Sequence, residues 1–148
     1  MSSAAHLSTN LFATFYVGDR FYGIDVMKVQ EITKAMPMSG VPLSPKYVHG
    51  LINLRGQIAT AIGLRDLFSL KSESPSEHMN IICASNELLI SFLVDRIGDV
   101  LAVSEADFEK PSDTIPSEIR RFMSGVYKLP DRLLSIIDVE AILKVINN

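Results

Sequence analysis

Gly50-Leu51-Ile52-Asn53-Leu54-Arg55-Gly56-Gln57-Ile58-Ala59-Thr60-Ala61-Ile62-Gly63-Leu64-Arg65-Asp66-Leu67 reads as two apolar strands folded on an Arg-Gly turn, followed at once by a short amphipathic helix. Gly56 supplies the positive φ that a tight hairpin turn needs, because it has no Cβ to clash. Neither strand alternates apolar with polar, so both faces of each are expected to be covered by protein. Arg55 stands out as a permanent charge at the tip of a hairpin otherwise built for burial. It is either a solvated tip residue or a group aimed at a partner.

Upstream of the hairpin, Leu11 to Val17 and Phe21 to Val26 form a predicted strand pair across a Gly18-Asp19 turn. Phe12, Phe15, Tyr16, Phe21 and Tyr22 suit its half-buried pleated surface. Residues 1–10 are small and polar, a flexible N-terminal arm. Met27 to Met36 fits a helical turn or a strand equally, and Pro37 ends it. Ser44-Pro45 reads as the N-cap and first position of one short helical turn stopped by Gly50, with His49 as a cation at its end.

Downstream, Leu64, Leu67 and Phe68 recur at helical spacing. Residues 71–78, KSESPSEH, break the pattern and are expected to form an exposed linker. Met79 to Ala84 and Leu88 to Val94 pair across Ser85-Asn86-Glu87, where Asn86 tolerates the left-handed backbone. Asp95 turns the chain into a further strand, which runs to Val103. A loop at residues 110–116 precedes one helical turn, Ser117 to Phe122, ended by Gly125. Val126 to Leu129 then pairs with Arg132 to Ile137 over Pro130-Asp131. Asp138 caps a last helix with Val139, Ile142, Leu143 and Ile146 on its apolar face.

These segments hide a repeat. Gly50 to Leu70 lies on Gly125 to Val145 without a gap, matching Leu54 to Leu129, the Arg55-Gly56 turn to Pro130-Asp131, and Ile62 to Ile137. Each half also opens with a hairpin, an Asp-bearing turn (Asp25, Asp95), an apolar strand and a loop with proline. The expected fold is therefore mostly β, two small barrels of about five strands, each closed by a short helix.

Composition narrows the function. Hydrophobic residues make up 47% and charged residues 21% of 148, an ordinary globular balance that excludes disordered and fibrous classes. A net charge of −3 and a pI near 5.6 argue against a phosphate-backbone binder. No apolar run approaches the ~20 residues of a membrane span, and no leader is evident, so a cytoplasmic protein without membrane insertion is expected. The one cysteine, Cys83, sits in an apolar strand as a small buried hydrophobe. His6, His49 and His78 have no ligand spacing, so no metal and no cofactor are expected. The glycines are dispersed and cradle no phosphate. No nucleophile–base pair can be assembled, which makes an enzyme a poor reading. Interaction surfaces remain. Glu31 is a lone acid in Val29-Gln30-Glu31-Ile32 as Arg55 is a lone base, and the two are candidates for an ion pair.

With these residues in place, the chain resembles the CheW family of chemotaxis coupling proteins. The likeness rests on Val29-x-Glu31-Ile32, Gly50-Leu51-Ile52-Asn53-Leu54-Arg55-Gly56, Leu64-Arg65, Val94-Asp95-x-Ile97 and the segment from Leu133 to Leu143, and spans Leu11 to Ile146. It implies one CheW-like domain over 11–148, made of two intertwined five-stranded SH3-like barrels. It also implies a non-enzymatic adaptor, recruited to membrane-associated arrays, that bridges the regulatory domain of the histidine kinase CheA and the cytoplasmic tips of chemoreceptors. On that reading Val29, Ile32 and Val100 line a groove for receptor helices, or else are barrel core. Glu31 and Arg55 lie at partner surfaces, or else pair only with each other. Asn53 and Gly56 hold the hairpin, and Asp95 and Asp138 serve turns. Two positions depart from the family pattern: Thr60 replaces a usual Pro and Gly63 a usual Asp. Losing Asp before Leu64 removes a helix cap, so restoring it is expected to stabilise the fold slightly. A coupling protein of a secondary, non-flagellar array is a variant of this reading, and a small-molecule-binding β-barrel is the alternative from another class.

Overall fold

The Arg55-Gly56 turn forms as its residues require, with φ of 51° and 90° at its two central positions in the computed structural model, which describes residues 9–71 and 77–146. Two positive φ values define the primed turn whose twist matches that of the flanking strands. The Asn86-Glu87 turn repeats the device, at 51° and 68°.

The strands are β1 (Thr9–Val17), β2 (Arg20–Asp25), β3 (Val29–Lys34), β4 (Val48–Leu54), β5 (Gln57–Gly63), β6 (Met79–Ser85), β7 (Leu88–Val94), β8 (Arg96–Ser104), β9 (Phe108–Glu109), β10 (Met123–Lys128) and β11 (Leu133–Ile137). The α-helices are α1 (Leu64–Leu67), α2 (Ser117–Arg120) and α3 (Val139–Ile146). The ambiguous stretch after Val26 resolves into both options, a 3-10 turn at Val26–Lys28 and then β3. The expected arm begins in residues 1–8, outside the described residues, and its last two positions open β1. Residues 72–76 of the expected linker also lie outside the described residues.

The chain divides into two units. The first holds residues up to 15, 21–27 and from 98 onward, and the second holds 16–20 and 28–97. A six-stranded sheet, β8-β1-β2-β11-β10-β9, builds the first, and a five-stranded sheet, β3-β6-β7-β5-β4, builds the second. The two sheets share a pairing pattern. In each sheet the second strand of the repeated hairpin, β5 or β11, runs parallel to the second strand of the opening hairpin, β7 or β2. The strand that follows each opening hairpin goes to the other sheet: β3 follows β2 but pairs with β6, and β8 follows β7 but stands beside β1. This exchange is what intertwines the two halves.

Chain lengths show that each sheet curls. The 3-10 turn Glu105–Asp107 joins β8 to β9, the two ends of the first sheet. Such a link spans at most ~14 Å, whereas six flat strands would hold their edges ~24 Å apart. In the second sheet the chain leaves β3 at one edge and by Ser39 is already bridged to Leu51 of β4 at the other edge.

These returning segments explain two glycines that read in the sequence as helix ends. Gly50 and Gly125 lie inside β4 and β10, each just after a bulge in the register with the next strand. A Cβ on Gly50, which has φ +156°, would stand 2.7 Å from the backbone oxygen of Ser39, and one on Gly125 would stand 2.1 Å from the Phe108 ring. Matched in the repeat, both glycines let the returning segment lie close against the hairpin. No helix forms after Ser44-Pro45; Pro45 to Val48 is a turn, closed by the Val48 N–H on the Pro45 carbonyl at 3.0 Å.

The central hairpin is covered less than its composition suggests. β4 is an edge strand and alternates, with Gly50, Ile52 and Leu54 buried and His49 and Asn53 exposed. Only β5 from Ala61 to Gly63, flanked by β4 and β7, is buried on both faces. Ile62, Leu64, Ile81, Ile90 and Phe92 are fully buried in the second unit, and Phe15, Ile24, Leu134 and Ile142 in the first.

Candidate partner-binding surface

The candidate residues of the second unit group around β3 and the hairpin tip. β3 carries a bulge between Val29 and Glu31 in its ladder with β6. Because of it, Val29 stands opposite Cys83 and Ile32 opposite Ile81, while Glu31 stands opposite Ile82. Directly opposed residues share a face, so Val29 and Ile32 emerge on one side of β3 and Glu31 on the other. An unbulged strand would have put Val29 with Glu31. Ile32 is 41% exposed and Val29 half-buried.

Glu31 and Arg55 meet as the sequence suggested. Arg55 Nη2 donates to Glu31 Oε1, tying the tip of the β4–β5 hairpin to the opposite edge strand. Arg55 is well exposed, so the contact is worth ~0–1 kcal/mol and acts on orientation more than on stability. Asn53 supports the tip by accepting the Gly56 N–H on Oδ1 at 3.0 Å. Val100 belongs to the first unit, on edge strand β8, and is 57% exposed.

Asp95 does more than turn the chain. Its Oδ2 accepts the Gly18 N–H at 2.6 Å and Arg65 Nη2 at 2.5 Å, and its own N–H donates to the Tyr16 carbonyl at 2.9 Å. One carboxylate thus joins the β1–β2 turn, α1 and the start of β8. The Arg65 and Asp95 side chains are only 12% and 20% exposed, so this pair is shielded where Glu31–Arg55 is not. Sequence reasoning named Arg65 only as part of a motif; its partner lies thirty residues on and leaves no local signal. Asp138 does what its position before α3 promised, taking the Ala141 N–H on Oδ1 at 3.0 Å.

The matching position before α1 is Gly63, and no side chain caps that helix. Here the structure reverses an expectation. His49 is not a helix-end cation; it lies on β4 with Nε2 2.7 Å from Asp66 Oδ2. A Cβ on Gly63 would stand 2.3 Å from that nitrogen. The imidazole occupies the room a cap residue would need. The repeat supplies the comparison, since His49, Gly63 and Asp66 correspond to Ser124, Asp138 and Ala141. Gly63→Asp alone is therefore expected to destabilise by about 1–2 kcal/mol, through crowding and loss of the His49–Asp66 contact. Combined with His49→Ser it should recover about 1 kcal/mol as a cap forms. Urea denaturation of both singles and the double measures the coupling; strict additivity would exclude the steric account.

Thr60 keeps a ladder position between Leu51 and Ile90 that a proline could not fully pair. Cys83 is buried, and burial pushes its thiol up to about 12, which leaves it inert at neutral pH. Among the described residues, no group of three or more His, Cys, Asp or Glu side chains could hold a metal ion. No helix among them is long and apolar enough to cross a membrane.

The polar groups above serve turns, a cap and ion pairs, and the apolar candidates Val29, Ile32 and Val100 lie on the edge strands β3 and β8. That combination defines a scaffold of the binding class. The family model of the CheW-like domain matches residues 11–147, and the chain belongs to that family. The chemotaxis protein CheW of Helicobacter pylori is 33% identical over 134 residues, which cover 90% of this chain and 81% of that one. CheW of Rhizobium meliloti is 29% identical over 146 residues, covering 96% and 94%. The solved scaffolding protein TtCheW of Thermoanaerobacter tengcongensis matches with a TM-score of 0.78 at 27% identity, covering 86% of this chain and 88% of its own.

Proposed function

We propose that this protein is a non-enzymatic coupling scaffold of bacterial chemotaxis, which joins the cytoplasmic tips of chemoreceptors to the regulatory domain of the histidine kinase CheA. The observation that carries the reading is the match to the CheW-like domain over residues 11–147, nearly the whole chain. The relatives this chain matches are named as chemotaxis and scaffolding proteins, which favours this reading over a ligand-binding barrel. Receptor helices would lie on the apolar side chains of β3, Val29 and Ile32, in the manner of a helix laid on a groove, and Val100 on β8 of the other unit is a separate candidate contact. Glu31 and Arg55 would set the hairpin tip for the kinase.

Calorimetric titration with the regulatory domain of the cognate kinase tests this. Wild type should bind, and Arg55→Glu, which sets two carboxylates against each other at the tip, should bind about tenfold more weakly. The charge swap Glu31→Arg with Arg55→Glu should restore affinity if the pair acts by orienting the tip. Failure to restore would assign Arg55 to direct contact with the partner. Absence of binding by wild type to both the kinase domain and a receptor-tip fragment would sink the coupling role.

A further inference from the structure

Two unfavourable features coincide at Leu43. Its backbone is left-handed, with φ +60°, and its side chain is fully exposed. The turn is Val41-Pro42-Leu43-Ser44, in which Ser44 returns its N–H to the Val41 carbonyl at 3.4 Å and its Oγ to the same oxygen at 2.9 Å. Pro42 fixes the first central position, and a positive φ at the second gives the type II form, which is suited to Gly or Asn. A branched apolar side chain there is strained and finds no burial in return. Single exposed leucines are common; one held out on a proline-stiffened turn at a backbone cost is not. Strain of this kind marks positions where the surrounding structure serves a use other than stability.

The surroundings say what would receive it. No residue from Ala35 to Pro45 carries a charge, and Met38 in that segment is exposed as well. The first charge beyond it is Lys46, 90% exposed and 3.7 Å from Asp66. We propose that Leu43 is an anchor side chain, displayed for insertion into an apolar pocket with an acidic rim on the kinase regulatory domain. This rests on the coupling reading and adds to it a contact point on the β3–β4 connection. The choice between partners follows from shape. A knob on a rigid turn needs a concave, folded receiver, whereas receptor helices present convex ridges and need a groove. Lys46 beside the knob meets the acidic rim.

The test titrates the kinase regulatory domain, and separately a receptor-tip fragment, into wild type, Leu43→Asn, Leu43→Met and Lys46→Glu, with a thermal melt of each. Asn accepts the left-handed backbone, so Leu43→Asn should melt no lower than wild type yet bind the kinase domain at least about tenfold more weakly. Leu43→Met, still apolar, should stay within about threefold of wild type. Lys46→Glu should weaken binding more at low salt than at high salt. Unchanged kinase affinity of Leu43→Asn would overturn the proposal, as would a loss confined to the receptor fragment, which would move the anchor to the other partner. Failure of wild type to bind either probe would overturn the coupling reading itself, and Leu43's role with it.

Discussion

Gly50→Ala is expected to destabilise the protein by about 2–4 kcal/mol and to lower its melting temperature by roughly 5–15 °C, more than any other single methyl added at a described glycine. Two costs combine. The backbone at φ +156° suits glycine, and the new Cβ would stand 2.7 Å from a main-chain oxygen, that of Ser39, which cannot swing aside as a side chain can. Ser39 is itself fixed by paired hydrogen bonds with Leu51, at 2.9 and 2.8 Å, so relieving the clash means breaking the bridge that covers the β4 edge. Gly40→Ala is the control, since a Cβ there meets nothing within 4 Å. Gly56→Ala, with a positive φ of 90° but open space around it, should fall between them at about 1 kcal/mol. Melts of the three variants that showed no such order would refute the close-approach account.

The second large effect is expected at Asp95. Asp95→Asn keeps the shape but removes the carboxylate charge that faces Arg65, 12% exposed, and gives the Gly18 N–H a neutral amide oxygen in place of a charged acceptor. Removing one member of a well-buried pair costs about 3–5 kcal/mol; with partial solvent access here, about 2–3 kcal/mol is expected. Arg65→Met alone should cost less, because the Gly18 N–H keeps its carboxylate. Urea unfolding of the two variants decides the matter: an arginine variant that falls further than the aspartate variant would show that packing of the Arg65 stem, and not the lost carboxylate, dominates. The Glu31–Arg55 contact offers the contrast. With Arg55 exposed to water, its loss should scarcely move stability and should show mainly in partner binding.

Local chemistry decided how much of this was legible in sequence. Hairpin turns announce themselves, and Gly18, Arg55-Gly56, Asn86 and Pro130-Asp131 each sit where their backbone preferences place a turn. Asp138 before an amphipathic run was equally plain. The repeat was read from a hairpin and helix that recur at a fixed offset. What failed was set from a distance. Gly50 and Gly125 looked like helix stops, because the segments that press on them, Ser39 and Phe108, are remote in sequence or carry no pattern of their own. His49 was misplaced for the same reason, its partner Asp66 lying beyond the hairpin. The two-sided coverage expected of β4 failed because composition cannot say which strand is an edge. Among the candidate site residues, the Glu31–Arg55 contact was foreseen from two lone charges. The bulge that turns Val29 away from Glu31 could not be, since no residue type announces it.

The exchange of β3 and β8 has a consequence for how the chain is made. As the polypeptide leaves the ribosome, the β1–β2 hairpin emerges first, yet Tyr22 finds its sheet partner only when Ser135 has been synthesised. The second sheet closes earlier, since β3, β4, β5, β6 and β7 are all delivered before residue 95. The half translated first is thus the half completed last, and β1 and β2 present unpaired edges for most of synthesis. A split between residues 97 and 98 would therefore act on one sheet only: fragment 1–97 would keep every strand of the second sheet, while the first would be divided, with β1 and β2 in one fragment and β9, β10 and β11 in the other. Fragment 98–148 would lack strands its sheet requires, and only co-expression could restore that sheet.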